Sequence, residues 1–240
     1  MISKQLYALQ VRTKQSFAEN LNHIRELIIN CDSDSIILLP EVCLTNFAYQ
    51  RMEETSEFSK VATQALIDLS QEKTIITTMI EKYKDGFYNN LKVFHNMQLL
   101  HKQSKNKLFP LGDEHLHFKA GNIDEISPFN IDGLKCGAIN CFELRFIEIW
   151  ERLKGCDLLL VPAQWSKERK DNFETLTKAL AITTQSFVIA SNGANDNIAK
   201  GSGIITPLGY ATRDDTKEII GLKANFSEVA KARKFINIGL

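Results

Sequence analysis

The 240-residue chain reads as an α/β fold, and three observations carry that reading. Two runs, Ser35-Ile-Ile-Leu-Leu39 and Asp157-Leu-Leu-Leu-Val161, are almost wholly apolar and meet a proline directly, at Pro40 and Pro162. Strands buried on both faces have this composition, because helices cover both sides of a parallel sheet. Between such runs apolar residues recur at helical spacing, as in Phe17, Leu21, Ile24 and Ile28. The two kinds of segment alternate along the chain with no linker, low-complexity tract or fixed-period repeat. A single domain over 1–240 is therefore expected.

Leu6 to Val11 is predicted as the first strand. Ser16-Phe-Ala-Glu19 has the form of a capping box, with Ser16 as N-cap and Glu19 reaching back, and opens a helix to about Asn30. Ser35 to Leu39 is a buried strand, followed at once by Glu41. A second helix covers Phe58 to Ser70, where Phe58, Val61, Ala65, Leu66 and Leu69 share a face. Thr74 to Ile80 is the next strand. Phe87 to Phe94 and Leu99 to Lys102 form a hairpin around Asn96-Met97-Gln98. Ser104 to Gly121 is polar, aromatic and irregular. Ile126 to Ile131 and Leu134 to Asn140 form a hairpin across Asp132-Gly133, a tight-turn dipeptide. Phe146, Ile149, Trp150 and Leu153 mark a helix that ends at Gly155. Asp157 to Val161 is a third buried strand stopped by Pro162. A longer helix over Phe173 to Gln185 precedes a strand over Phe187 to Ser191. Gly201 to Thr206 and Glu218 to Ala224 read as a final strand pair, and the tail from Phe226 is weakly helical.

Lys plus Arg equals Asp plus Glu at 29 each, so no net charge calls for nucleic acid or an anionic membrane. No apolar run is long enough to span a bilayer. The stretch Met1-Ile-Ser-Lys-Gln-Leu-Tyr7 lacks the apolar core of a secretory signal. The five cysteines (31, 43, 136, 141 and 156) contain no CxxC pair, so neither a zinc site nor a disulfide framework is suggested. A cytoplasmic location is expected.

Chemistry is concentrated at strand ends. Cys141 closes the apolar run from Cys136 to Ile139 and opens a helical segment. A cysteine there stands on a sharp turn, near N–H groups without intrahelical partners, which favour thiolate and can hold a developing oxyanion. Glu41 follows the strand ending Leu38-Leu39-Pro40, and Lys105 follows the strand ending at Lys102. Ligands of α/β folds gather at the carboxyl ends of strands. Singly, each residue has a plainer explanation. A Glu after a strand is a solvated loop residue, a lone Lys a surface charge, and an unpaired Cys a small core side chain.

Three ordered motifs tie these residues together. Ile36-Ile-Leu-Leu-Pro-Glu41-Val42, with Thr45-Asn-Phe47 after it, resembles the "lPE…tGf" segment of the nitrilase superfamily, the carbon–nitrogen hydrolases. Ser104-Lys105-Asn-Lys-Leu-Phe109 is similar to its "YdK.hLF" segment, and Asn140-Cys141-Phe-Glu-Leu-Arg-Phe146 to "CYDLRFP". Gly112-Asp-Glu114-His-Leu-His-Phe118-Lys-Ala-Gly121 resembles the "GEH..F..G" stretch of the omega-amidase-like branch. Asp157 to Trp165 resembles "aDlilvpanWp" and Ala179 to Asn192 "ARAiEnq.yV...N", so the likeness covers nearly the whole chain. Departures are Phe142 for tyrosine, Glu143 for aspartate, Asn46 for glycine, and Leu180 and Thr183 for the arginine and glutamate of the late helix.

The resemblance implies a four-layer α-β-β-α sandwich that pairs into homodimers or a higher homo-oligomer, and no metal or organic cofactor. It implies Cys141 as nucleophile, Glu41 as base, Lys105 with the Phe142 backbone N–H as oxyanion holders, and Glu114 supporting Lys105. The implied reaction is hydrolysis of a small linear amide through an acyl-thioester, with release of ammonia. An N-carbamoyl-amino-acid hydrolase is the alternative within the class, and an inactive binding protein of the same fold the alternative outside it. Trp165 is placed to line the pocket or to pack in the core. Arg145 is read as a structural ion-pair partner, and His115 and His117 as residues of a loop that could cap the site.

Overall fold

A computed structural model describes residues 2–239. They form two six-stranded sheets packed face to face, with helices on both outer surfaces. The first sheet contains β1 (Ser3–Leu9), β2 (Ser35–Leu38), β3 (Lys73–Tyr83), β4 (Gly86–His95) and β5 (Gln98–Ser104). The second is built from β6 (Phe129–Ile131), β7 (Leu134–Ala138), β8 (Leu158–Ala163), β9 (Phe187–Asn192), β10 (Gly203–Ile205) and β11 (Ala211–Arg213). The last strand, β12 (Ile219–Asn225), returns to the first sheet beside β1.

Both sheets repeat one plan. The orders are β12-β1-β2-β3-β4-β5 and β6-β7-β8-β9-β10-β11. Each has an antiparallel edge strand, three parallel strands, and then two antiparallel strands. In the first sheet, α1 (Phe17–Ile29) and α2 (Met52–Leu69) make the crossovers between parallel strands. In the second, α4 (Ile147–Arg152) and α5 (Lys170–Thr184) do so. Two further helices, α3 (Glu114–His117) and α6 (Ser227–Phe235), complete the set.

Strand alternation fills the layers. Leu6, Ala8, Ile36 and Leu38 point between the sheets, where they meet Leu158, Leu160, Phe187 and Ile189. Their neighbours Leu9, Ile37 and Leu39 point outward onto Leu21, Ile24 and Leu66 of α1 and α2. Leu159, Val161 and Val188 do the same under Trp150, Phe173 and Leu180. Successive side chains of a strand face opposite ways, so a run with helices on one side and a second sheet on the other must be apolar throughout.

Four expectations need correction. α2 begins at Met52 rather than Phe58, because its first turn is polar and exposed at Glu53 and Glu54 and carries no apolar period. Pro162 does not stop β8, which continues to Ala163 by pairing Pro162 with Ser191. β7 pairing ends at Ala138 opposite Leu160, so beyond that point β8 has one strand neighbour and tolerates a missing N–H. Gly201 to Thr206 and Glu218 to Ala224 do not pair with each other. β10 turns back onto β11, and β12 crosses to the other sheet. Ser16 caps α1 by accepting the Glu19 N–H at 3.3 Å, but the Glu19 carboxylate turns to Lys14 Nζ at 3.5 Å.

Candidate active site

The chain leaves β2 and β7 through two strained turns. Val42, next to Glu41, has φ of 42°, and Cys141 has φ of 52°. Left-handed backbone is uncommon for residues with a Cβ and costs most for a β-branched one. Val42 is held there by burial and by its N–H, which donates to Thr78 Oγ1 at 2.7 Å. Asn46 also has φ of 56°, so this position suits the glycine of the resembling motif and, next best, asparagine. From Cys141 to Arg145 the chain forms a 3₁₀ turn whose first backbone bond is Glu143 N–H to Asn140 O, 3.1 Å. The Phe142 N–H lies ahead of that bond, at the open N-terminal end of the turn.

The structure brings Glu41, Lys105, Glu114 and Cys141 together at these strand ends. Lys105 Nζ donates to Glu41 Oε1 and to Glu114 Oε1, each at 2.7 Å. Glu41 Oε1 also accepts from Asn89 Nδ2 of β4 at 2.8 Å. Glu114 Oε2 accepts the Phe109 N–H at 3.0 Å. The Lys105 backbone is fixed at both ends, its N–H donating to Asn89 O and its carbonyl accepting the Gly121 N–H, both at 2.9 Å. Glu41 Oε2 is buried and has no hydrogen-bond partner among the described residues. It is the carboxylate oxygen left to take a proton.

Burial decides the electrostatics. Glu41, Lys105, Glu114 and Cys141 are 0, 1, 3 and 7% exposed. Burial works against the Lys105 charge, but the Glu41 and Glu114 carboxylates outweigh it and hold the ammonium's pKa above its ordinary value. Two carboxylates against one ammonium leave surplus negative charge in a dry site, and burial raises the Glu114 pKa despite the Lys105 contact. Burial, then the Glu41 charge, pushes the Cys141 thiol well above its ordinary value, with Lys105 opposing. The expectation that the turn favours thiolate is thereby corrected. Desolvation and a neighbouring carboxylate outweigh a few N–H dipoles in setting the direction of that shift.

A cleft of about 350 Å³ opens onto Glu41 and Cys141, lined also by Tyr49, Phe109, Gln164 and Arg169. A narrow extension reaches Phe142, Arg145 and Trp165. Trp165 fills both expected roles, since it lines this extension and packs on Phe173 at 5.7 Å between ring centroids. Arg145 differs from expectation: it has no carboxylate partner among the described residues, and its guanidinium lies 4.6 Å from the Trp165 ring centre. Neither histidine lines the cleft. His117 stacks on Tyr49 with ring centres 3.9 Å apart, and His115 is exposed. Leu180 is buried under the second sheet, whereas Thr183 is exposed on α5.

Sequence reasoning passed over Asn89 and Arg169. The polar pair Asn89-Asn90 inside an apolar strand was a usable signal, because a buried amide in a strand needs a partner. Nothing local distinguishes Arg169 from the other basic residues around it. A hollow of about 440 Å³ beside Lys4, Asp34 and His95 is larger than the cleft, but Cys141 does not line it.

The fold and the buried set define a class. The profile of the carbon–nitrogen hydrolase family matches residues 6–220, and the chain belongs to that family. It is 29% identical over 217 residues to 2-oxoglutaramate amidase of Bacillus subtilis, covering 85% of this chain and 83% of that one. It is 28% identical over 204 residues to omega-amidase YafV of Escherichia coli, covering 81% and 78%. Nit3 of Saccharomyces cerevisiae, a nitrilase-superfamily member, superposes with a TM-score of 0.88 over 99% of this chain and 96% of its own, at 19% identity. The four-layer sandwich is thus shared with solved members of that superfamily.

Lys105→Met strands two buried carboxyl groups. Removing one partner of a buried ion pair costs about 3–5 kcal/mol, and that loss is expected here at neutral pH. The two carboxyl groups then take up protons that the unfolded chain has released, so the folded form binds more protons and its deficit widens as pH rises. Guanidinium unfolding of both proteins at pH 5 and pH 8 checks it; an equal deficit at both pH values contradicts it.

Proposed function

We propose that the chain hydrolyses the amide of a small linear substrate through a thioester on Cys141. The observation that carries this reading is the meeting of a free carboxylate oxygen, a buried ammonium and a thiol at the floor of one cleft. Glu41 Oε2 accepts the thiol proton as Sγ attacks the amide carbon, which answers the high pKa of the resting thiol. The tetrahedral oxyanion is held by the Lys105 ammonium and the Phe142 N–H, and one such donor is typically worth about 3–4 kcal/mol. Protonated Glu41 passes its proton to the leaving nitrogen, and ammonia departs. A water deprotonated by Glu41 attacks the thioester, releasing the carboxylic acid and restoring the thiol. Glu114 holds Lys105 throughout.

The substrate class proposed is an amide that carries a carboxylate at its far end. Arg169 and Arg145 line the space around Cys141, over Phe109 and Trp165, and neither is paired with a carboxylate among the described residues. An arginine fork without a partner beside a reactive carbonyl suits a remote carboxylate. The names of the two curated relatives, 2-oxoglutaramate amidase and omega-amidase, support the same class.

A homodimer and a cytoplasmic location complete the proposal. Ile182 on α5 is about half exposed and packs against Gly209, whose chain neighbours Leu208 and Tyr210 are exposed. Such an apolar patch suits a second copy of the chain. The five cysteines are free thiols, as a reducing compartment requires. No helix among the described residues is long and apolar enough to cross a membrane.

Ammonia release over a panel of neutral and acid-tailed amides tests the chemistry. Cys141→Ala is expected to abolish release, and Arg169→Ala to raise KM about 10-fold or more for acid-tailed amides only, the worth of a hydrogen bond to a charged group. Full turnover by Cys141→Ala contradicts the mechanism, and equal KM changes for neutral amides contradict the substrate class. In sedimentation velocity, the wild type is expected at twice the chain mass and Ile182→Glu at the chain mass. A wild-type monomer contradicts the dimer.

A further inference from the structure

One carboxylate outside the reacting set touches both segments that carry it. Glu143 is wholly buried, with no cationic partner among the described residues. Its Oε1 accepts the Asn106 N–H at 2.6 Å, and its Oε2 accepts the Asn140 N–H at 2.7 Å. Asn106 directly follows Lys105, and Asn140 directly precedes Cys141. The two oxygens of one side chain therefore pin the exits of β5 and β7 to each other. Asn106 is tied down further, its Nδ2 donating to Gly121 O at 2.7 Å.

We propose that Glu143 is a positioning residue that sets the distance between the Lys105 ammonium and the Cys141 sulfur. Lys105 Nζ already has two acceptors in Glu41 and Glu114, but these fix the side-chain tip and not the backbone that carries it. The backbone on the Cys141 side of the cleft is also reached from Gln103, whose Nε2 donates to Ala138 O at 3.1 Å, but Asn106 is the residue adjoining Lys105 that Glu143 ties to it. Burial pushes the Glu143 pKa up to about 7, against the Asn140, Asn106 and Lys107 backbone amides and the Lys105 charge. A neutral amide there avoids that desolvation cost, but it can meet only one of the two N–H groups with its oxygen and turns its NH₂ on the other. The resembling motif carries aspartate at this position. In this chain a glutamate carboxylate spans both amides.

The kinetic half of the test rests on the amidase reading above; the exchange half does not. Glu143→Asp and Glu143→Gln are assayed against an acid-tailed amide, with folded sites counted by iodoacetamide alkylation of Cys141. A misplacement of about 1 Å can cost about 100-fold in rate, so kcat per folded site is expected to fall about 10-fold for Asp and about 100-fold for Gln. KM is expected to stay within about threefold, because the binding groups are elsewhere. Backbone hydrogen exchange at Asn106 and Asn140 is expected to quicken in both variants. Wild-type kcat per folded site in both variants, or unchanged exchange at both amides, overturns the proposal. If Glu143→Gln does not fold, Glu143→Asp decides on the same two readouts. If the wild type hydrolyses no amide, the amidase reading falls and the exchange rates alone decide the clamp.

Discussion

A buried ammonium sits between two buried carboxylates, and the geometry of the cleft depends on that contact. An unpaired charge in such a place costs several kcal/mol, so Lys105 can stay only while Glu41 and Glu114 stay with it. Glu41 comes from the exit of β2, Lys105 from the exit of β5 and Glu114 from the short α3. One cation thus forces three separate parts of the chain into register. The surplus negative charge has a second effect. With burial, it raises the pKa of the Cys141 thiol.

The repeated sheet plan explains why Glu41 and Cys141 face each other. β2 and β7 lie in opposing sheets, and each ends in a turn with a left-handed residue, Val42 on one side and Cys141 on the other. The Glu41 N–H donates to Ala163 O at the end of β8, at 3.3 Å, so the two sheets are joined beside the cleft. Strain of this kind persists where the surroundings over-determine the backbone. Thr78 holds the Val42 turn, and Glu143 holds the Cys141 turn.

Much of this was legible in the residues. The apolar runs of β2 and β8 and the helical period of α1 predicted alternating strands and helices, because two-sided burial leaves no room for polar residues. The sandwich itself was not derivable from those patterns; it came from the motif resemblance. The pairing of β12 with β1 escaped because partners far apart in sequence leave no local trace. α2 was cut short because its first turn is solvated. In the site, Glu41, Lys105 and Cys141 could be named from their motifs, but the upward shift of the thiol's pKa could not. It depends on burial and on charges that only the fold assembles. The role of Glu143 escaped for the same reason, since a hydrogen bond to a distant backbone amide has no sequence signature, whereas the buried Asn89-Asn90 pair left a signal that was passed over.

The most direct measurement is to quench the protein during turnover of an acid-tailed amide and map covalent adducts by mass spectrometry. The expected result is one acyl group per chain, on the peptide that contains Cys141, lost again as the carboxylic acid is released. Turnover with no acyl group on Cys141, or with the group on Cys31, Cys43, Cys136 or Cys156, would contradict the assignment of the nucleophile.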